Sequence, residues 1–228
     1  MRPELRRFGQ TESPVVVVDE FSGDPERAAR VAEALAPFPD EKASYYPGVR
    51  RMIGRGDSDA YQYVEEICER AAQFIAGAFD VDGFDLLRSS FSMVSRKPSD
   101  LSDPQRAPHF DSTDQKYYAL LHYLRVPAGT GTAFFRQRST GIERVNEANV
   151  DQFVRTAQAD AALLPPDSGY IRGSNQFFEQ IGAVEGIVDR IVIYQGSLLH
   201  SGIIPPGMNF SADPREGRLT ANIFVRGH

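Results

Sequence analysis

The stretch RLTANIF (Arg218–Phe224) alternates with a period of two. Successive side chains of a strand point to opposite faces, so Arg218, Thr220 and Asn222 share one face and Leu219, Ala221 and Ile223 the other. The apolar face reads as packed on a core. A face carrying one charge and two polar groups suits a slot for a carboxylate. An arginine fork grips both oxygens and a threonine hydroxyl adds a donor. The competing explanation is a strand with one face open to water.

Working outward, strand-like segments dominate from Phe84 to the end. They are FDLLRSSFSMVS (84–95), YYALLHYL (117–124), GTAFF (131–135), NQFFEQIGAV (175–184), RIVIYQG (190–196), SLLHSGII (197–204) and RLTANIFVR (218–226). Gly, Pro, Asp and Ser separate them. VNEANVDQFVRTAQADA (145–161) interrupts as a helix. The N-terminal third has one buried strand, PVVVVDEF (14–21), and two helices. The first follows Asp24 as N-cap and Pro25 as first helical residue. The second spans Ser58 to Phe79, with apolar residues at three- and four-residue steps. This order predicts an α+β fold: a jelly-roll barrel backed by helices. One domain is expected, with residues 1–83 as mainly helical support and 84–226 as the catalytic core. A polar, proline-bearing loop from Lys97 to Pro108 reads as a mobile flap over a site.

His109 and Asp111 form His-x-Asp in APHFDSTD. In an extended segment both side chains reach the same side. His200 lies in an apolar strand and needs a partner there, either a hydrogen bond in the core or a metal. Two histidines and one carboxylate make the facial triad of non-haem iron(II) oxygenases, with positions left open for other ligands. His122 neighbours Tyr123 and so faces the other way, as a core or surface histidine. His228 is terminal and is expected to be loose. Arg136 and Arg138 share a face and form either a solvated surface or a contact for an anionic substrate. Cys68 reads as inert core.

The order His-x-Asp, distal His, then Arg-x-Thr resembles the 2-oxoglutarate/Fe(II) dioxygenases, within them the prolyl-hydroxylase-like branch. The last stretch, SADPREGRLTANIF, resembles a bacterial group of that superfamily, the DUF6445 type. The likeness covers roughly residues 84–225. It implies a double-stranded β-helix with iron held by His109, Asp111 and His200. It also implies 2-oxoglutarate held by Arg218 and Thr220, with Tyr123 matching the tyrosine that family members turn to the cosubstrate. GTGTAFFR resembles the turn and strand that follow. The implied reaction uses O2 to hydroxylate a small molecule or a protein side chain, releasing succinate and CO2. A carboxylate at Asp111 favours hydroxylation or desaturation over halogenation. Two departures stand out. Arg218 follows His200 at an interval of 18 positions, against about ten in the family, and a Pro/Gly/Asp-rich loop accounts for the excess. The strand before His-x-Asp lacks the usual tyrosine, so Arg96 or Lys97 is a candidate in its place. Arg96, Arg136, Arg138 and Asn222 are the candidate substrate contacts. The rival reading is a cupin-like barrel that binds a metal or ligand without oxygenase activity.

Bulk properties narrow the partners. The 228 residues carry a net charge of −6, with 41% hydrophobic residues. The chain has no basic stripe for nucleic acid. It has no apolar run long enough for a membrane span and no leader-like segment. The single cysteine excludes an internal disulfide and suits a cytoplasmic setting.

Overall fold

The computed structural model describes residues 2–40, 45–165 and 167–228. In chain order the elements are β1 (Arg2–Phe8), β2 (Ser13–Asp19), α1 (Pro25–Ala34), β3 (Gly48–Met52), α2 (Ser58–Phe79) and β4 (Phe84–Val94). Then come β5 (Tyr117–Arg125), β6 (Gly131–Gln137), α3 (Val150–Ala162), β7 (Phe178–Glu185), β8 (Ile191–Gln195), β9 (His200–Ile203) and β10 (Leu219–Gly227). Seven strands form one sheet in the order β1-β2-β8-β5-β10-β4-β3, and β7-β6-β9 form a second. Every pairing is antiparallel. The α+β jelly roll expected from the sequence is the observed architecture.

Period-two patterning sets the layers. On β2, Val16 and Val18 join the cluster beneath α1 and α2, while Val15 and Val17 face the second sheet. The outer face of the large sheet is mostly apolar: Leu120, Ile191, Ile193, Leu219, Ala221, Ile223, Phe91 and Met93 pack against the two helices, with His122 bonded to Tyr63 of α2 among them. The Asp24 side chain accepts from the Arg27 N–H at 3.0 Å and starts α1 as read from the sequence. α3 closes a third layer, with Phe153 packed on Phe135, Phe178 and Leu199 of the small sheet.

The N-terminal 83 residues contain two strands that the sequence did not announce, β1 and β3. These are the two edges of the large sheet. The Lys97–Pro108 segment is better anchored than a free flap. It holds two short 3-10 turns, Pro98–Asp100 and Asp103–Arg106. Leu101 packs with Val94, Tyr170, Ile204 and Met208. The chain end is also tied down: the His228 N–H donates to the Gly83 carbonyl at 3.0 Å.

Candidate metal centre

The His-x-Asp segment lies alongside β9 and its approach. The His109 N–H donates to the His200 carbonyl at 2.9 Å, and the His200 N–H to the His109 carbonyl at 2.8 Å. Two residues on, the Asp111 N–H donates to the Gly196 carbonyl at 2.6 Å. Position 196 must be glycine for this approach. A Cβ there would come within 2.6 Å of the Tyr117 ring and 3.1 Å of the Asp111 Cβ. Extended geometry turns His109 and Asp111 to one side, and Phe110 to the other, where it meets Phe153 edge-on with ring centroids 5.7 Å apart.

One ligand atom each from His109, Asp111 and His200 lies within 4.8 Å of the others. His200 Nδ1 sits 2.8 Å from the Leu198 carbonyl, which only accepts, so this nitrogen carries the proton and Nε2 keeps its lone pair. That Nε2 is 3.6 Å from Asp111 Oδ2. Asp111 Oδ2 is buried and has no hydrogen-bond partner. Burial pushes the Asp111 carboxyl above its usual range, against the opposing effect of His200, Arg88 and Arg50. Burial, then the closeness of His200 and Arg50, pushes His109 well below the usual imidazole value. The set is therefore two imidazoles and a buried carboxylate with one oxygen that has no hydrogen bond. A divalent cation with a preference for nitrogen and oxygen donors fits it.

The triad opens on a cavity of about 590 Å³. Arg218, Thr220 and Asn222 all line it, as the alternation of that strand requires. Arg218 is 4% exposed, and its Nε is buried without a hydrogen bond. Its guanidinium carbon stands 5.6 Å from the Tyr123 ring centroid. The Tyr123 hydroxyl shares a 2.7 Å hydrogen bond with Thr132, which is itself on the cavity wall. The Thr220 hydroxyl donates to Asn222 Oδ1 at 3.0 Å.

The family model described as a family of unknown function, DUF6445, matches residues 1–225. The chain belongs to the DUF6445 family. No curated protein matches it by sequence. Solved structures share its fold at low identity. The viral collagen prolyl hydroxylase of Paramecium Bursaria Chlorella virus-1, solved as a 2OG complex, aligns with TM-score 0.51 and 10% identity, over 94% of this chain and 96% of that one. A Pseudomonas putida prolyl-4-hydroxylase aligns with TM-score 0.51 and 12% identity, over 96% and 95%. The epimerase SnoN, in complex with Fe3+, alpha ketoglutarate and nogalamycin RO, gives TM-score 0.54 and 14% identity, over 95% and 80%.

In this DUF6445 chain the other candidates fall elsewhere. Arg136 pairs with Glu179 at 2.5 Å and Glu143 at 3.5 Å, away from the cavity wall. Arg138 donates to the Asn175 carbonyl at 2.9 Å. Arg96 lies 3.6 Å from Asp40 and also sits off the wall. His122 has both nitrogens engaged, Nδ1 with the Tyr63 hydroxyl at 2.7 Å and Nε2 with Asp189 at 2.9 Å. It is a core histidine. The cavity also has walls that the sequence reading passed over: Arg50 on β3, Arg88 on β4, Tyr194 on β8, and Phe153, Val154 and Ala157 on α3. For Arg88 a signal existed, because Arg88, Ser90 and Ser92 repeat the polar stripe of Arg218, Thr220 and Asn222. No helix among the described residues is long and apolar enough to cross a membrane.

Proposed function

We propose that this DUF6445 chain is an iron(II)- and 2-oxoglutarate-dependent oxygenase that hydroxylates a small molecule or a protein side chain, with release of succinate and CO2. One observation carries the reading. A single cavity holds a buried carboxylate whose Oδ2 has no hydrogen bond, beside two imidazoles, and apart from it a buried guanidinium whose Nε has none. The first calls for a cation and the second for an anion, and a chelating diacid bound to a metal answers both.

His109, Asp111 and His200 would hold the iron, with Leu198 fixing the His200 tautomer. Arg218 would take the far carboxylate of 2-oxoglutarate, assisted by the hydroxyls of Thr220 and of the Tyr123–Thr132 pair. When bound, iron with 2-oxoglutarate and O2 supplies the oxidising power for C–H hydroxylation. The chain contributes orientation and exclusion of water. The Tyr45 ring lies 5.4 Å from the His109 ring, and its hydroxyl donates to the Pro104 carbonyl, joining the Lys97–Pro108 segment to the metal side of the cavity.

The test is optical. Adding Fe(II) and 2-oxoglutarate together, without oxygen, should produce a visible charge-transfer band that neither gives alone. His200→Ala should abolish it. Metal bound at the triad with no band at any 2-oxoglutarate concentration would leave a cupin-like metal-binding barrel instead.

A further inference from the structure

This inference rests on the oxygenase reading and concerns the organic substrate. A divalent iron, Asp111, Arg218 and a doubly charged 2-oxoglutarate balance one another. Asp111 is the single acidic side chain among the described residues of the cavity wall, yet the wall also carries Arg88 and Arg50. Both act on Asp111, drawing its carboxyl down against burial, so both stand within electrostatic reach of the triad. The loaded site thus keeps the positive charge of Arg88, exposed at the mouth on the side of β4.

Arg88 is held in place there. Its Nε donates to the Tyr117 hydroxyl at 3.1 Å, and its guanidinium carbon lies 4.6 Å above the Phe224 ring. An arginine without a task at a cavity mouth is free to swing into water, at little cost. Here one nitrogen and one face of the fork are used for positioning, and Arg88 forms no ion pair with any described residue. The backbone contributes as well. β10 pairs Phe224 with Arg88 but Val225 with Leu86, so Leu87 is an extra residue in β4. Such a bulge re-aims neighbouring side chains. Arg88 is the last position of the inner stripe before it, and Leu86 turns to the helix side. Next to Arg88 on the wall is Asn222, whose oxygen already accepts from Thr220, leaving its amide N–H groups for a ligand. The α3 side of the wall is mostly apolar: Phe110, Phe153, Val154, Ala157 and Ala161, with Gln158 as its one polar side chain.

We propose that the substrate is a small amphipathic acid, its anionic group held by Arg88 with the Asn222 amide and its apolar body laid along α3. The cavity volume of about 590 Å³ is that of a small-molecule site.

The probes are octanoate, octanol, octylamine and acetate, titrated by calorimetry into protein loaded with Fe(II) and saturating 2-oxoglutarate without oxygen. Saturation keeps the octanoate carboxylate out of the Arg218 slot. Octanoate should bind at least about tenfold tighter than octanol, the equivalent of one charge-assisted hydrogen bond. Acetate should bind more weakly than octanoate, and octylamine not at all. Arg88→Gln should erase the preference of octanoate over octanol. Tyr117→Phe, which keeps the charge and frees the fork, should leave an intermediate preference. Equal binding of octanoate and octanol, a preference that survives Arg88→Gln, or no octanoate binding up to about 10 mM each overturns the proposal. Failure of the oxygenase reading shows separately, as absence of the charge-transfer band. The octanoate preference is then still scored on the metal-loaded protein.

Discussion

The inner face of the large sheet has two unlike halves. Across β2, β8 and β5 it presents Val15, Val17, Val192 and Ala119, sealed by Phe134 from the small sheet. Across β10, β4 and β3 it presents Arg218, Thr220, Asn222, Ser90, Ser92, Arg88 and Arg50. The outer face shows no such division, since both halves lie on the same mostly apolar layer beneath α1 and α2, broken by the His122–Asp189 pair. One continuous hydrogen-bonded ladder therefore carries a half that stabilises the fold and a half that turns polar groups toward the cavity. The lesson is that alternation makes the two faces of a strand independent, so a site can be cut into a sheet without disturbing its support.

The sharpest test lies at the metal, which His200 of the small sheet and the segment paired with it would hold. His200→Ala or Asp111→Ala should reduce iron from about one per chain to almost none by elemental analysis, because each supplies a large share of a small ligand set. Full occupancy in either variant would break the assignment. His122→Ala should keep its iron despite removing a buried histidine.

Next come single deletions on either side. Phe134→Ala, in the apolar half, should lose about 3–5 kcal/mol of stability in denaturant melts, by transfer and cavity costs. Arg218→Ala, in the polar half, should instead lose about 3–5 kcal/mol in 2-oxoglutarate binding, a hundredfold or more, with iron content flat. Arg218→Lys should fall between, since it keeps the charge and loses the planar fork. Arg218→Met should leave the metal-free protein as stable as the wild type or more so, because it removes a buried cation that lacks a partner. A large stability loss in Arg218→Met would erase the distinction between the halves.

A smaller effect is expected beneath the helices. Asp189 is a buried acid that accepts from the Ser22 N–H and hydroxyl, the Gly23 N–H and His122. Burial raises its pKa, but these hydrogen bonds outweigh it and hold the carboxyl well below the usual range. A depressed carboxyl contributes fully above the unfolded value, about pH 4, and the contribution fades as pH falls below it. Asp189→Asn should lose about 1.5–3 kcal/mol at neutral pH, with a shallower acid limb than the wild type and unchanged iron binding. The smallest effect belongs to Thr220→Val: about 1–3 kcal/mol in 2-oxoglutarate affinity, from one lost donor.

Much of this arrangement was readable in the sequence because central strands and metal ligands leave periodic traces. The Arg218–Phe224 alternation placed three residues on the cavity wall, and the i, i+2 spacing of His109 and Asp111 matched their shared side. The edges were not readable. RPELRRF in β1 carries Arg2, Glu4, Arg6 and Arg7, and GVRRM in β3 carries Arg50 and Arg51. Edge strands bury little and are protected from aggregation by such charges, so their apolar signal vanishes. Arg136 and Arg138 stayed open in the sequence between a solvated surface and a substrate contact. Alternation places the pair on one face without saying which, and their partners Glu143 and Glu179 are remote or unpatterned in sequence. The wall supplied by α3 depends on how a helix docks across a mouth, which no local pattern encodes.

The paired backbones of His109 and His200 carry a consequence for the order of folding. Those residues stand 91 positions apart in sequence, at 109 and 200, and they meet only when β9 has docked beside β6. Contacts of such long range are slow to close, since the loop between them must first be ordered. No emerging chain can present the full ligand set before residue 200 has been made and placed. Iron uptake in this protein should therefore mark the completion of refolding, lagging behind the signal of the helices, and not serve as a nucleus around which the barrel assembles.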